Sequence, residues 1–362
     1  MKCFWDMQAV KPEVSRDSAA ALSISLLEVA GERAWDDFVH AHEHGTFFHL
    51  SRWRRVIEKA FGQKTYYLIA RRGAAVAGIL PLTHVKSMLF GSSLISNGFC
   101  VQGGILARDE QTKAALTAEA VKIGERENVD CVEFRSTTPQ HPDWIQKSGL
   151  YVTFRRPIHA DLDANLKAIP RKQRAMVRKG ISNGLTSECD ADVTRMHDVY
   201  AESVRNLGTP VYARGYFQLL KDEFGEACDV VTILHAGAPV AAVLNFYFRD
   251  EVLPYYGGGR SQARDLAAND FMYWEVMRRA CERGLKVFDF GRSKVGTGAF
   301  SFKKNWGFEP TPLTYEFRLI KAKAIPEVNP LNPKFRAFIA MWRRMPMPLT
   351  KLLGPHIVRG IG

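Results

Sequence analysis

One pattern of elements occurs twice in this chain, and that repeat constrains the fold more than any other feature. Leu68 to Leu82 (LIARRGAAVAGILPL) and Ile233 to Phe246 (ILHAGAPVAAVLNF) each read as apolar strand, glycine turn and apolar strand, with Gly73 matching Gly237 and Val76 matching Val240. Each predicts a β-hairpin, because glycine reaches the positive φ that a tight turn requires. A helical stretch and a further apolar strand follow in both copies: AEAVKIGERENVDCVEF, ending at Phe134, and WEVMRRACERGLKVFDF, ending at Phe290. In the second copy Met272, Val276, Met277 and Ala280 recur at helical spacing, and Gly284 is placed to end the helix in a left-handed cap. The repeated order predicts a mixed α/β architecture built from two related units.

With 362 residues and 46% hydrophobic content, the chain has enough apolar material for two domains of ordinary size. Its net charge of +12 favours anionic partners such as nucleotides, tRNA, lipid-linked phosphates or a membrane face. The six cysteines are scattered, with no CxxC pair and no histidine at zinc-finger spacing, so neither a disulfide framework nor a structural zinc is expected, and a reducing cytoplasm fits. His40 and His44 are four apart but are read as a helix end before Gly45, and no metal site is expected. Ala19 to Leu27 is flanked by acids and reads as a first strand after a loose tail over 1–20. No apolar run approaches the roughly 20 residues a spanning helix needs.

The segment Lys286 to Phe308, KVFDFGRSKVGTGAFSFKKNWGF, joins a buried strand to a glycine-rich turn and then to Phe302 and Lys303. Asp289 at the strand end is a candidate proton acceptor, since a carboxylate screened from water can have a raised pKa; alternatively it bonds the turn that follows. Phe302 and Lys303 either belong to a site or are a core ring and a solvated amine on a strand or short helix. Upstream, TFFHLSRWRRVIEKAFG (Thr46 to Gly62) places Trp53, Val56, Ile57 and Ala60 on one helix face. There His49 and Ser51 either line an acceptor pocket or cap and pack beside that helix.

Between Ala164 and Ser187 there are six Lys or Arg and no acid. Pro170 and Gly184 bracket a helix over Arg171 to Asn183, with Arg171, Arg174 and Arg178 as a basic stripe and Val177 and Ile181 facing inward. Such a stripe either grips a diphosphate or carboxylate or is a solvated face. In VLPYYGGGRS (Val252 to Ser261), Tyr255, Tyr256 and Gly257 to Gly259 end a strand and either border a cleft or form a flexible loop. Asn269 and Asp270 are placed to cap the next helix.

These motifs together, DFG followed by the Phe-Lys pair, the "TFFHLSRW" opening and the basic helix ending at Gly184, resemble the FemAB-like aminoacyl/acyltransferase family of the GNAT superfamily, with its BioF2-like acetyltransferase domain. The resemblance spans roughly Ala21 to Leu319. It implies two tandem GNAT-like domains with mixed, centrally splayed sheets: 21–158, then 159–320 carrying the transfer site, then a basic extension over 321–362. It implies that Phe302 walls the pocket while Lys303 steadies the carbonyl oxygen under attack or holds a donor phosphate, with Asp289 assisting the amine. It places substrate contacts at Arg174, Arg178, His49, Trp53, Tyr255, Tyr256, Gly257, Asn269 and Arg292. No bound cofactor is implied; the donor is either acyl-CoA or aminoacyl-tRNA.

Two departures bear on the donor. No long charged helical arm of the kind that accompanies aminoacyl-tRNA use is present, and Arg292 to Gly298 reads R-x-x-x-G-x-G, one residue longer than the acetyl-CoA loop and on the other side of the strand. From Asn329 to Gly362 there are six Lys or Arg and no acid, with four prolines after Leu331 and an amphipathic helix expected near Lys334 to Arg344. This ending either lies on an anionic bilayer or packs back on the domains. It resembles the FemAB-related group that accompanies exosortase/PEP-CTERM and exopolysaccharide systems, which implies a cytoplasmic protein, peripheral on the inner membrane face, whose acceptor is an envelope glycan or lipid-linked precursor. The competing expectations are an acetyl-CoA-dependent N-acetyltransferase and a non-catalytic module that binds glycan or lipid phosphate within a biosynthetic complex.

Overall fold

The computed structural model describes residues 20–87, 91–325 and 336–360. The expected tail over 1–20 lies almost wholly outside these residues, as does the start of the basic ending. The first half comprises β1 (Leu22–Leu26), α1 (Glu32–Ala41), α2 (Trp53–Phe61), β2 (Lys64–Arg72), β3 (Ala75–Ser87), β4 (Gly91–Ser96), β5 (Leu106–Ala107), α3 (Glu110–Arg126), β6 (Cys131–Ser136) and β7 (Ile145–Pro157). There follow α4 (Leu162–Ala168), α5 (Arg171–Ser182), β8 (Thr186–Cys189), α6 (Thr194–Leu207), α7 (Arg214–Phe224), β9 (Cys228–His235), β10 (Ala238–Phe248) and β11 (Glu251–Gly259). The chain continues through α8 (Ala268–Glu282), β12 (Val287–Asp289), β13 (Ser293–Lys294), α9 (Gly298–Asn305), β14 (Pro310–Leu319), α10 (Arg336–Arg344) and α11 (Met347–Val358).

Both hairpins close as the repeat requires. Arg72 pairs with Ala75 around Gly73 and Ala74, with Gly73 at positive φ, and His235 pairs with Ala238 around Ala236 and Gly237, where both turn residues are at positive φ. Each hairpin is followed by a helix and then a strand parallel to an earlier one, β4 with β6 and β11 with β12. The strands join in one mixed sheet of fourteen, twelve of them in the order β1-β2-β3-β4-β6-β14-β7-β12-β11-β10-β9-β8, with β5 on β3 and β13 on β7 off that path. The strand near Tyr151 is long: β7 bonds β14 along most of its length and reaches β12 at Arg155 to Pro157. Strand β14, which follows the second unit in sequence, inserts between β6 and β7.

The halves also share a core. Phe47 and Trp53 from the first half pack on Phe224 and Phe246 from the second, with the Phe47 and Phe246 rings stacked at 4.3 Å. Burying such large rings contributes much of the cohesion between units. Helix α5 seats Val177 and Gly180 inward, and Ile181 is exposed, contrary to the inward expectation. A Cβ at Gly180 would stand 2.7 Å from the Phe271 side chain, so α5 turns its glycine toward α8 and carries Ile181 out to solvent.

The basic ending packs back on the second half. Trp342 is buried, Ile339 lies against Gly208 at the end of α6, and Lys351 Nζ donates to Asp198. Gln63 Nε2 donates to Arg359 O at 2.8 Å, tying the last turn to the first half as well.

Candidate functional site

The sheet opens at its centre. Strands β11 and β12 pair only at Glu251↔Val287 and Val252↔Phe288. Beyond that point β11 stays on β10 as far as Gly259 while β12 bonds β7, with Asp289 opposite Arg155. No backbone hydrogen bond among the described residues bridges Pro254–Gly259 to the chain after Asp289. A register shift in the β10–β11 pairing leaves Tyr255 without a partner residue, as at a β-bulge. The equivalent strands of the first half, β4 and β6, also part after Ile95↔Glu133, but there the chain fills the gap with its own loop. Gly103 and Gly104 N–H both donate to Arg135 O, and Arg135 Nη1 donates to Cys100 O at 2.9 Å. Across the second half's opening no such loop bond is found among the described residues.

The turn after β12 is held from inside. Lys303, on α9, donates from Nζ to Phe290 O at 2.6 Å, Gly291 O at 3.1 Å and Arg292 O at 3.1 Å. Burial pulls its pKa down to about 8, against the opposing pull of Asp289. An ammonium has three N–H groups, and all three are engaged. The expectation that Lys303 reaches a reacting carbonyl therefore gives way to a positioning role: in this arrangement it has no donor left for a substrate. Phe302 sits on the short helix begun by Thr297, packed against Tyr273 and Trp306, and Trp306 Nε1 donates to Asp270 at 2.9 Å.

Asp289 is half-buried at the mouth of the splay. Its Oδ1 accepts from Gly291 N–H at 2.7 Å and from Thr153 Oγ1 at 3.3 Å. Burial raises its pKa above the ordinary value, opposed by the Gly291 N–H and by Arg155 and Lys303. The Oδ2 atom has no hydrogen-bond partner among the described residues, which leaves it free to take a proton. Glu251 lies beside it, its carboxylate bound by Arg155 at 2.9 Å and its pKa likewise raised by burial.

A ring of tyrosines lines the junction of the halves. Arg292 Nη1 donates to Tyr315 OH at 2.6 Å and its guanidinium lies 4.7 Å over the Tyr151 ring. Arg135 lies over the other ring of that stacked pair, 5.3 Å from the centre of Tyr315. Tyr255 packs on Phe48 and Phe246, and the hydroxyls of Tyr256 and Tyr216 bond each other at 2.8 Å. Tyr315, Arg135, Tyr212 and Thr153 were not among the sequence candidates. They come from four separate segments, and no local motif marks them.

Other expected contacts are not brought to this site. His49 is buried, its Nδ1 accepting from Thr46 N–H and its Nε2 donating to Gly104 O at 3.1 Å. Trp53 is wholly buried, with Nε1 donating to Phe47 O. Neither offers a surface to an acceptor; both belong to the scaffold, while Ser51 binds Asp36. Gly257 is explained by packing, since a Cβ there would meet Tyr273 OH at 3.0 Å; at Gly258 it would meet Ser203 at 2.6 Å. Asn269 and Asp270 lie inside the first turn of α8, after the cap at Ala267, and Asn269 Oδ1 closes on Gly259. Arg174 is half-buried and Arg178 exposed on α5, with neither side chain bonded among the described residues. His40 stacks on Phe248, and the described residues contain no group of three or more metal-ligating side chains.

Comparison with known proteins supplies the class. An acetyltransferase (GNAT) domain model matches residues 166–304, the stretch that holds β11, β12 and Lys303. Residues 166–304 thus form an acetyltransferase domain of GNAT type. Over its length the chain is similar in structure to the crystal structure of FemX, at 15% identity and a TM-score of 0.64, covering 83% of this chain and 98% of that one. It is also similar to a tandem GNAT protein from the clavulanic acid biosynthesis pathway (14% identity, TM-score 0.52, 83% and 98% covered) and to L-PGS from Bacillus licheniformis (12%, 0.53, 89% and 96%). These likenesses establish the tandem fold. No curated protein sequence matches the chain.

Proposed function

We propose that the chain forms amide bonds, moving an acyl or aminoacyl group from acyl-CoA or aminoacyl-tRNA onto an amino group of an envelope glycan, exopolysaccharide or peptidoglycan precursor. The splay between β11 and β12 carries this reading, because backbone groups along the edge of β11 that β12 leaves unpaired can bond an extended donor and its carbonyl oxygen. The acceptor nitrogen attacks the acyl carbonyl carbon, forming the C–N bond. The C–S or C–O bond to the donor breaks, its electron pair leaving with sulfur or oxygen. One amine proton goes to Asp289 Oδ2, and Lys303 keeps the turn that orients this carboxylate. The PEP-CTERM setting rests on the resemblance of the basic ending alone.

Two measurements test the reading. Mass spectrometry of envelope polymers from cells with and without the gene is expected to show an amide-linked acyl or aminoacyl mass that depends on it. CoA or aminoacyl-tRNA, whichever is the donor, is expected to raise the melting temperature of the purified chain by linkage. Unchanged polymers together with no shift from either donor would falsify the proposal.

The same proposal seats the protein on an anionic membrane. No helix of the described residues is long and apolar enough to cross one. Yet Met341, Leu349, Leu352 and Leu353 are exposed on α10 and α11, beside Arg343 and Arg344, and residues 336–360 contain no acid. Vesicles containing phosphatidylglycerol are expected to sediment the protein, and a Leu352→Glu, Leu353→Glu variant to stay in the supernatant. Equal sedimentation of the two removes the membrane from the reading.

A further inference from the structure

Arg292 is a withdrawn cation with no anion beside it among the described residues. It is half-buried behind the splay, and its neighbours are phenols: Tyr315 at 2.6 Å and the Tyr151 ring at 4.7 Å. No carboxylate lies within ion-pair distance of it among the described residues. The nearby guanidinium of Arg135 takes the carboxylate of Glu133 at 2.7 Å, and the two cations repel each other. A charge taken from water without an opposite charge is costly, so a fold that keeps one has a use for it.

Two more phenols, Tyr212 and Tyr255, pack on one shared neighbour, the ring of Tyr256. Burial raises the phenol pKa of Tyr212 and Tyr255, and the charge of Arg292 acts against that rise on both, so both hydroxyls lie within its field. Neither hydroxyl has a hydrogen-bond partner among the described residues. Tyr255 is the unpartnered residue of β11 at the splay, and the Arg292 carbonyl is one of the three that Lys303 holds. A guanidinium with unpartnered phenol hydroxyls in its field suits an anionic oxygen group.

We propose that Arg292, with the hydroxyls of Tyr212 and Tyr255, forms an anion subsite that takes a carboxylate or phosphate carried by the acceptor close to its attacking amine. Assigning the anion to the acceptor rests on the transferase reading; the subsite itself does not. On this view Lys303 acts through the turn that presents Arg292.

The test is melting of the full chain in sodium phosphate and in sodium acetate, each against sodium chloride at matched ionic strength. Wild-type protein is expected to gain about 2 °C or more in one of the two at ten times its Kd. The salt giving the larger rise identifies phosphate or carboxylate as the group bound. Arg292→Met is expected to abolish the rise while melting in chloride no lower than wild type, because an uncompensated charge has gone. Tyr255→Phe, which removes only a hydroxyl, is expected to weaken the rise and serves if the arginine variant fails to fold. Arg174→Gln is expected to keep it. The subsite is overturned by no rise in wild type, by a rise that survives in Arg292→Met or is undiminished in Tyr255→Phe, or by one lost equally in Arg174→Gln. None of these readouts uses turnover, so the subsite can fail while amide transfer stands, and the reverse.

Discussion

An Asp289→Asn variant is expected to lose amide transfer by about 10²- to 10⁴-fold, the usual worth of a placed general base, while melting no lower than the wild-type protein. The two halves of this expectation have separate causes. Loss of rate follows from removing the oxygen that takes the amine proton. Stability is retained because burial holds the Asp289 pKa above its ordinary value, which means that folding disfavours the ionised form. Between the unfolded and folded pKa values the folded state binds more protons, so stability falls as pH rises through that window and the penalty persists at neutral pH. A neutral amide is free of it and still offers an oxygen to Gly291 N–H. Because Lys303 acts on the same turn, Lys303→Met combined with Asp289→Asn is expected to be little worse than Asp289→Asn alone. Steady-state kinetics and calorimetry on the single and double variants decide the matter; rate losses that multiply would show that Lys303 works independently of the carboxylate.

The second large effect concerns acid. His49 is buried, and desolvation pulls its pKa from 6.5 to about 4 despite bonds to Gly104 and Thr46. The network assigns the proton to Nε2, which donates to Gly104 O, and leaves Nδ1 to accept from Thr46. A second proton on Nδ1 would face the Thr46 N–H. The unfolded chain binds that proton from about pH 6.5 downward and the folded chain only near pH 4. Stability from this group is therefore complete above about pH 6.5 and is lost as pH falls toward 4, by about 3 kcal/mol in all. Urea unfolding at neutral and acid pH is expected to show this loss in the wild type and a shallower pH dependence in His49→Gln. An identical slope in both proteins would place the acid sensitivity elsewhere, for example at His197, which is also depressed by burial.

Local features were readable from the sequence, and their reach was short. The hairpins at Gly73 and Gly237 are visible because two residues determine the turn and the flanking apolar runs determine the strands. The end of α5 at Gly184 and the cap beyond α8 at Gly284 are visible for the same reason, since each needs a positive φ. What could not be read depends on partners distant in the chain. The inward turn of Gly180, which displaces Ile181, is dictated by Phe271 on another helix. Lys303 stands beside the glycine turn in sequence, but its engagement with three carbonyls of that turn depends on how α9 folds back. The phenols around Arg292 come from 151, 212, 255 and 315, and no spacing rule links those positions. His49 was a candidate on residue type, and only its burial reveals it as a strut between Thr46 and the loop that fills the first splay.

The placement of β14 between β6 and β7 determines when the molecule can be completed. A ribosome that has released everything up to Asn305 has made Asp289, Lys303 and both splayed strands, yet the seam between β6 and β7 is still vacant, because Pro310 to Leu319 must fill it and bring Tyr315 to Arg292. Until then two strand edges stand bare, and bare edges recruit other chains. Nascent protein is thus most exposed to clumping just before its last strand emerges, and a chain cut short of Leu319 should be captured by chaperones or proteases even with its chemistry-bearing residues intact.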